Sequence, residues 1–125
     1  MPDIAQMEAA VHEYVAAFAA RSPERVAALF AADAMVEDPI GSPPHVGYDA
    51  ILAFYTASMQ TGARLELQGP VRLVGPYAAF AFSVHLDWDG GDKRIDVIDT
   101  FKFNEAGKVI EMRAYFGPTN VHGFS

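Results

Sequence analysis

The chain contains no cysteine, which removes disulfide frameworks, thiol nucleophiles and thiolate metal knuckles from consideration. Basic residues are few: nine Lys and Arg face sixteen Asp and Glu, for a formal net charge of −7. A chain of that sign has no electrostatic footprint for phosphate backbones or anionic lipid, so no nucleic acid and no membrane partner is expected. No apolar run approaches the ~20 residues that cross a bilayer. Asp3, Glu8 and Glu13 occupy the stretch where a secretory signal would carry basic residues, so a soluble, cytoplasmic protein is expected. His12, His45, His85 and His122 are too scattered to make a metal motif, and Ser42, Ser58 and Ser83 lack a GxSxG context. Chemistry is left to carboxylates, hydroxyls and imidazole, without a metal.

Apolar material, in contrast, is abundant. At 125 residues and 51% hydrophobic, with nine Phe, five Tyr and one Trp, the chain can build one core, and one domain over 1–125 is the expectation. Ile4, Met7, Val11, Tyr14, Val15 and Phe18 recur at helical spacing and predict an amphipathic helix over 3–20. Ser22 and Pro23 then read as N-cap and first position of a second, shorter helix leading into Val26, Leu29 and Phe30. A short strand and the turn-rich "EDPIGSPPHVG" precede a third helix over 48–60, with Ile51, Leu52, Tyr55 and Met59 on one side. The period then changes. Residues 64–74, 77–88, 93–103 and 108–116 read as strands separated by "GPY", "DGGD" and "NEAGK", a pattern that favours an antiparallel meander and an α+β fold.

Alternation along these strands gives one apolar face. It carries Phe80, Phe82, Val84, Leu86 and Trp88, then Val97, Asp99 and Phe101, then Ile110, Met112, Ala114 and Phe116, with Glu111 and Arg113 opposite. Three helices leave part of that face uncovered if it lines a pocket. Asp99 is the exception in the row. It is either a core carboxylate with a buried partner, a position that strand twist brings to water, or an acid kept neutral by desolvation and able to donate a hydrogen bond to an oxygen gaining charge. Tyr14, between Val11 and Phe18, is either an ordinary amphipathic aromatic or a second donor. Asp38 precedes Pro39, a turn-forming pair, but Pro39 also holds Asp38 extended, so Glu37 and Asp38 point to opposite faces and one of them can serve as a general base at a pocket rim.

The segments "VEDPIG", "VIDTFKF" and "MRAYFG", together with Tyr14, resemble the bacterial Δ5-3-ketosteroid isomerases of the NTF2-like, SnoaL-like superfamily, and the resemblance runs essentially end to end. It implies a cone-like fold with three N-terminal helices on a curved, mainly antiparallel sheet. It implies that Asp38 is the proton-shuttling base, that Tyr14 and protonated Asp99 form the oxyanion hole, and that Tyr55 supports Tyr14. Phe54, Phe82, Trp88, Met112 and Phe116 would line a steroid cavity, no cofactor would be needed, and the protein would be a homodimer. Phe30 stands where some relatives have a further tyrosine. The implied reaction moves a Δ5 double bond into conjugation with a 3-keto group. Within the superfamily the alternatives are a polyketide cyclase or a noncatalytic small-molecule binding module. Its epoxide hydrolases use an Arg between two Asp residues, and Arg113 falls on the face opposite the apolar row.

Overall fold

Asp3 accepts a hydrogen bond from the Ala5 amide (2.9 Å) and so caps α1, Ile4–Ala19. In the computed structural model, which describes residues 2–88 and 91–123, this helix buries Met7, Val11, Tyr14, Ala17 and Phe18. Ile4, expected in the same stripe, is 64% exposed in the first turn. Ser22 caps α2, Pro23–Ala27, through the Arg25 amide at 3.3 Å, with Pro23 in the first turn. Phe30 does not extend this helix as the sequence reading had it; it opens strand β1, Phe30–Glu37. Strand β2 (His45–Val46) and helix α3 (Tyr48–Met59) follow, and α3 buries Ile51, Tyr55 and Met59.

The expected strand over 64–74 is two strands, β3 (Arg64–Leu67) and β4 (Arg72–Val74), interrupted where Gly69 takes a φ of +83° ahead of Pro70. Both pair with β5, Tyr77–Trp88, at different points along it. β5 and β6 (Gly91–Phe103) form the long antiparallel spine, and the "NEAGK" turn leads into β7, Val109–Tyr115. The expected "DGGD" turn falls partly on residues outside the described set. A single 3₁₀ turn, Pro118–Asn120, and the two-residue β8, Val121–His122, complete the order.

Sheet order is β2-β1-β7-β6-β5-β3, with β4 on β5 and β8 on β6. The β1–β7 pair is parallel and the other pairs are antiparallel, so the sheet is mixed. The helices cover one face of it. Ala78, Phe80, Phe82 and Leu86 of β5 and Val97, Phe101 and Phe103 of β6 are buried there, as alternation requires. Alternation fails at one point in β7. Lys102 pairs with Glu111 but Phe103 pairs with Val109, leaving Ile110 as an inserted residue. Such a bulge reverses side-chain parity, so Val109 is buried in place of Ile110, which is half-buried. None of the described helices is long and apolar enough to cross a membrane.

Candidate active site

Between the helices and the sheet lies a cavity of about 290 Å³ whose lining includes Tyr14, Asp38, Tyr55 and Asp99. Val84 and Ile95, paired across β5 and β6, are only half-buried because they face this space rather than a helix.

Tyr14 projects from the buried stripe of α1 and is 2% exposed. Its ring stands edge-on to Phe101 (centroids 5.3 Å, 78°) and to Tyr55 (5.7 Å, 88°), which fixes its direction. The Tyr14 and Tyr55 hydroxyls are 3.0 Å apart and hydrogen-bonded. Phe30 lies beside Tyr55 with ring centroids 6.0 Å apart, so the chain of phenols ends at Tyr55. Burial pushes the Tyr14 phenol well above its usual range, and Tyr55, Asp99 and Asp38 add to the rise. Tyr14 therefore holds its proton and is a neutral donor.

Asp99 sits mid-strand, opposite Phe80 on β5 and Ala114 on β7, and is 1% exposed. Burial pushes its carboxyl well above the usual carboxylate range; the nearby Asp38 charge raises it further, and hydrogen bonding with Tyr14 offsets part of the rise. Among the described residues no Lys, Arg or His lines the cavity to hold it ionised. Its Oδ1 is buried without a hydrogen-bond partner among the described residues. An orphaned polar atom at 1% exposure is costly unless a ligand completes it.

Glu37 and Asp38 diverge as alternation requires. Glu37 turns to the outer face, where its carboxylate accepts from Arg113 Nε (3.2 Å) and from the Gly41 amide (2.9 Å). Arg113 also donates to Glu111 at 2.6 Å and stays outside the cavity. Asp38 turns inward, and burial lifts its carboxyl to about 6. At neutral pH this acid is mostly ionised, whereas burial favours the neutral form of Asp99. One cavity thus presents a carboxyl that takes a proton near neutrality, a buried phenol, and a buried carboxyl whose Oδ1 has no partner among the described residues.

Phe54, Phe82 and Phe116 also line the cavity. Met112 does not. It is fully buried in the core, paired with Phe101 and Val36, and the expectation that it forms part of the wall is corrected accordingly. The side chain of Trp88 lies outside the described residues. Two lining hydroxyls, Ser58 and Thr61, went unassigned in the sequence because Ser58 sits off the buried stripe of α3 and Thr61 in the turn beyond it. A wider open groove of about 640 Å³ marks the other face of the sheet. Its acids are paired: Asp96 accepts from Ser83 (2.9 Å) and Arg94 (3.0 Å), and these bonds hold its carboxyl below the usual range.

Residues 11–112 match the SnoaL-like domain family. A protein from Nocardioides simplex named steroid Delta-isomerase is 40% identical over 116 residues, which cover 91% of this chain and 92% of that protein. Among solved structures, SalBIII, described as an epoxide hydrolase/cyclase-like enzyme in pyran ring formation in the polyether salinomycin, superimposes with a TM-score of 0.89. That alignment has 22% identity and covers 97% of this chain and 98% of SalBIII, a likeness of fold.

Proposed function

Because the chain belongs to the SnoaL-like domain family and is 40% identical to a steroid Delta-isomerase over nearly its whole length, we propose that it is itself a steroid Δ-isomerase. It converts Δ5-3-ketosteroids to their conjugated Δ4 isomers. Asp38 removes a C4 proton, the substrate's own carbonyl takes up the electron pair as a dienolate, and Asp38 returns the proton at C6. Tyr14 and neutral Asp99 donate hydrogen bonds to the oxygen as its negative charge develops, while Tyr55 orients Tyr14. No cofactor enters this scheme.

The observation that supports it most is the unpartnered Asp99 Oδ1. A neutral carboxyl beside the Tyr14 phenol, in a cavity with no cation among its described lining residues, is suited to an oxyanion and poorly suited to a cationic or hydrocarbon group. The absence of any arginine among the described residues that line the cavity weighs against the epoxide-opening arrangement of an Arg between two acids. In this proposal residues 1–125 form a single cone-shaped domain that works in the cytoplasm as a homodimer. Ile98 and Tyr115, 49% and 47% exposed on the outer face of the sheet, support an interface there.

The test is turnover of 5-androstene-3,17-dione, followed by the ultraviolet absorbance of the conjugated enone. Growth of that absorbance at a rate proportional to enzyme supports the assignment. Binding of the steroid without turnover would reduce the protein to a binding module.

A further inference from the structure

Among the described residues six polar ones line the cavity, and the proposed chemistry uses four of them: Tyr14, Asp38, Tyr55 and Asp99. The remaining two, Ser58 and Thr61, share one end. Ser58 lies three residues beyond Tyr55, about 4.5 Å further along the axis of α3 at ~1.5 Å per residue, and Thr61 follows in the turn after the helix ends at Met59. On the sheet side the cavity likewise extends away from Asp99. Asp99 and Ile95 are four residues apart on β6, roughly 13 Å at strand rise, and Leu65, Val84 and Ile95 are register partners across β3, β5 and β6 at that far end. A 3-ketosteroid with its ketone at Tyr14 and Asp99 puts its opposite ring on the order of 10 Å away, from ordinary carbon–carbon bond lengths.

The two hydroxyls are not equivalent. Thr61 Oγ1 donates its proton to the Ser58 carbonyl at 2.6 Å, so toward a ligand it can only accept. Ser58 Oγ has no hydrogen-bond partner among the described residues, and its proton is available to donate. We propose that Ser58 and Thr61 form a second polar subsite that selects steroids oxygenated on the ring farthest from the 3-ketone. A ketone there accepts from Ser58 alone. A hydroxyl there accepts from Ser58 and donates to Thr61, so the subsite favours the hydroxyl over the ketone and both over a bare hydrocarbon ring. The proposal rests on the isomerase reading for the direction in which the ligand lies.

The test is direct binding, by titration calorimetry, of three Δ4-3-ketones that differ only at C17: 17β-hydroxy, 17-oxo and unsubstituted. A half-exposed hydrogen bond of ordinary net strength corresponds to roughly a 3- to 10-fold change in Kd. Ser58→Ala is expected to weaken both oxygenated ligands by that factor, and Thr61→Val to weaken the 17β-hydroxy ligand only, with Thr61→Ser restoring it. Equal losses for all three ligands, or no loss for the oxygenated ones, would overturn the subsite. Turnover of the Δ5 dione by the unmodified protein is measured separately. If turnover is absent while the binding pattern holds, the isomerase reading fails and the subsite stands; if turnover proceeds while binding ignores C17, the subsite alone fails.

Discussion

Replacing Asp38 with Asn is expected to make the protein inactive and more stable, and the gain in stability is expected to depend on pH in a calculable way. Burial raises the Asp38 carboxyl from 3.8 to about 6, roughly two units, and at ~1.4 kcal/mol per unit the native fold opposes this charge by about 3 kcal/mol. The sign follows from proton binding. Between the two pKa values the unfolded chain has released the proton and the folded chain has not, so the wild type loses stability as pH rises through this window. Asn carries no such charge at any pH. Burial, the largest cause of the raised Asp99 pKa, favours its neutral form in both folded proteins. The advantage of Asp38→Asn should therefore grow from about 0.5 kcal/mol at pH 4 to about 2.6 at pH 6, levelling near 3 above pH 7. Urea unfolding of both proteins at each pH measures it, with equal m-values as the check that the unfolded states match. Isomerase turnover should meanwhile fall by about 10²- to 10⁴-fold, the usual range for a general base. A stability difference that does not vary with pH, or an Asn variant less stable than the wild type at pH 7, would show that Asp38 is not held against its charge and would refute the reasoning.

The pH dependence of kcat/KM should show the same group, falling about tenfold per unit below a pKa of about 6 as Asp38 is protonated. On the alkaline side it should fall again once Asp99 ionises beside the developing oxyanion, well above the ordinary carboxylate range. Tyr14→Phe keeps the ring packed against Phe101 but removes a donor, and a loss of about 10²- to 10³-fold in kcat is expected; unchanged turnover in the folded variant would place Tyr14 outside the mechanism. Asp99→Asn retains an N–H donor of similar size and should keep substantially more turnover at saturating steroid than Asp99→Ala, whereas equal damage in the two would mean that Asp99 does not act as a donor. Glu37→Gln, on the outer face with Arg113, should leave turnover near wild type.

The period of the sequence carried most of this architecture. α1, α3 and the β5–β6 spine lie within a residue or two of where spacing and alternation predicted them, and the parity that singled out Asp99 is the parity observed. What spacing could not supply was non-local. The bulge at Ile110 depends on how β7 meets both β6 and β1, and it moved Val109 into the core. The parallel β1–β7 pairing and the two-residue strands β2 and β8 are products of tertiary contact, too short or too distant to leave a pattern. Phe30 fits a helical stripe and a strand equally well by hydrophobicity alone, and only the end of α2 at Ala27 decides it. Within the site, the inward turn of Asp38 was legible because alternation and Pro39 left two faces for two acids. Met112 was misplaced because apolar parity distinguishes core from solvent but not core from cavity wall. Ser58 and Thr61 were missed for the complementary reason: no hydrophobic period marks a hydroxyl at the end of a helix.

Asp96 and Asp99 stand three residues apart on β6 and face opposite sides of the sheet, the first held charged by Ser83, Arg94 and His122, the second held neutral by burial. The formal charge of −7 counts both as ionised. Because burial favours the neutral form of Asp99, the folded protein carries less negative charge than its composition states wherever that form persists, and folding there takes up a proton that the unfolded chain has released. Its heat of unfolding then contains a contribution from whichever buffer receives that proton. Melts in phosphate and in Tris at the same pH should differ in enthalpy in the direction of the two buffers' ionisation heats, so the state of Asp99 can be read by calorimetry without any steroid present.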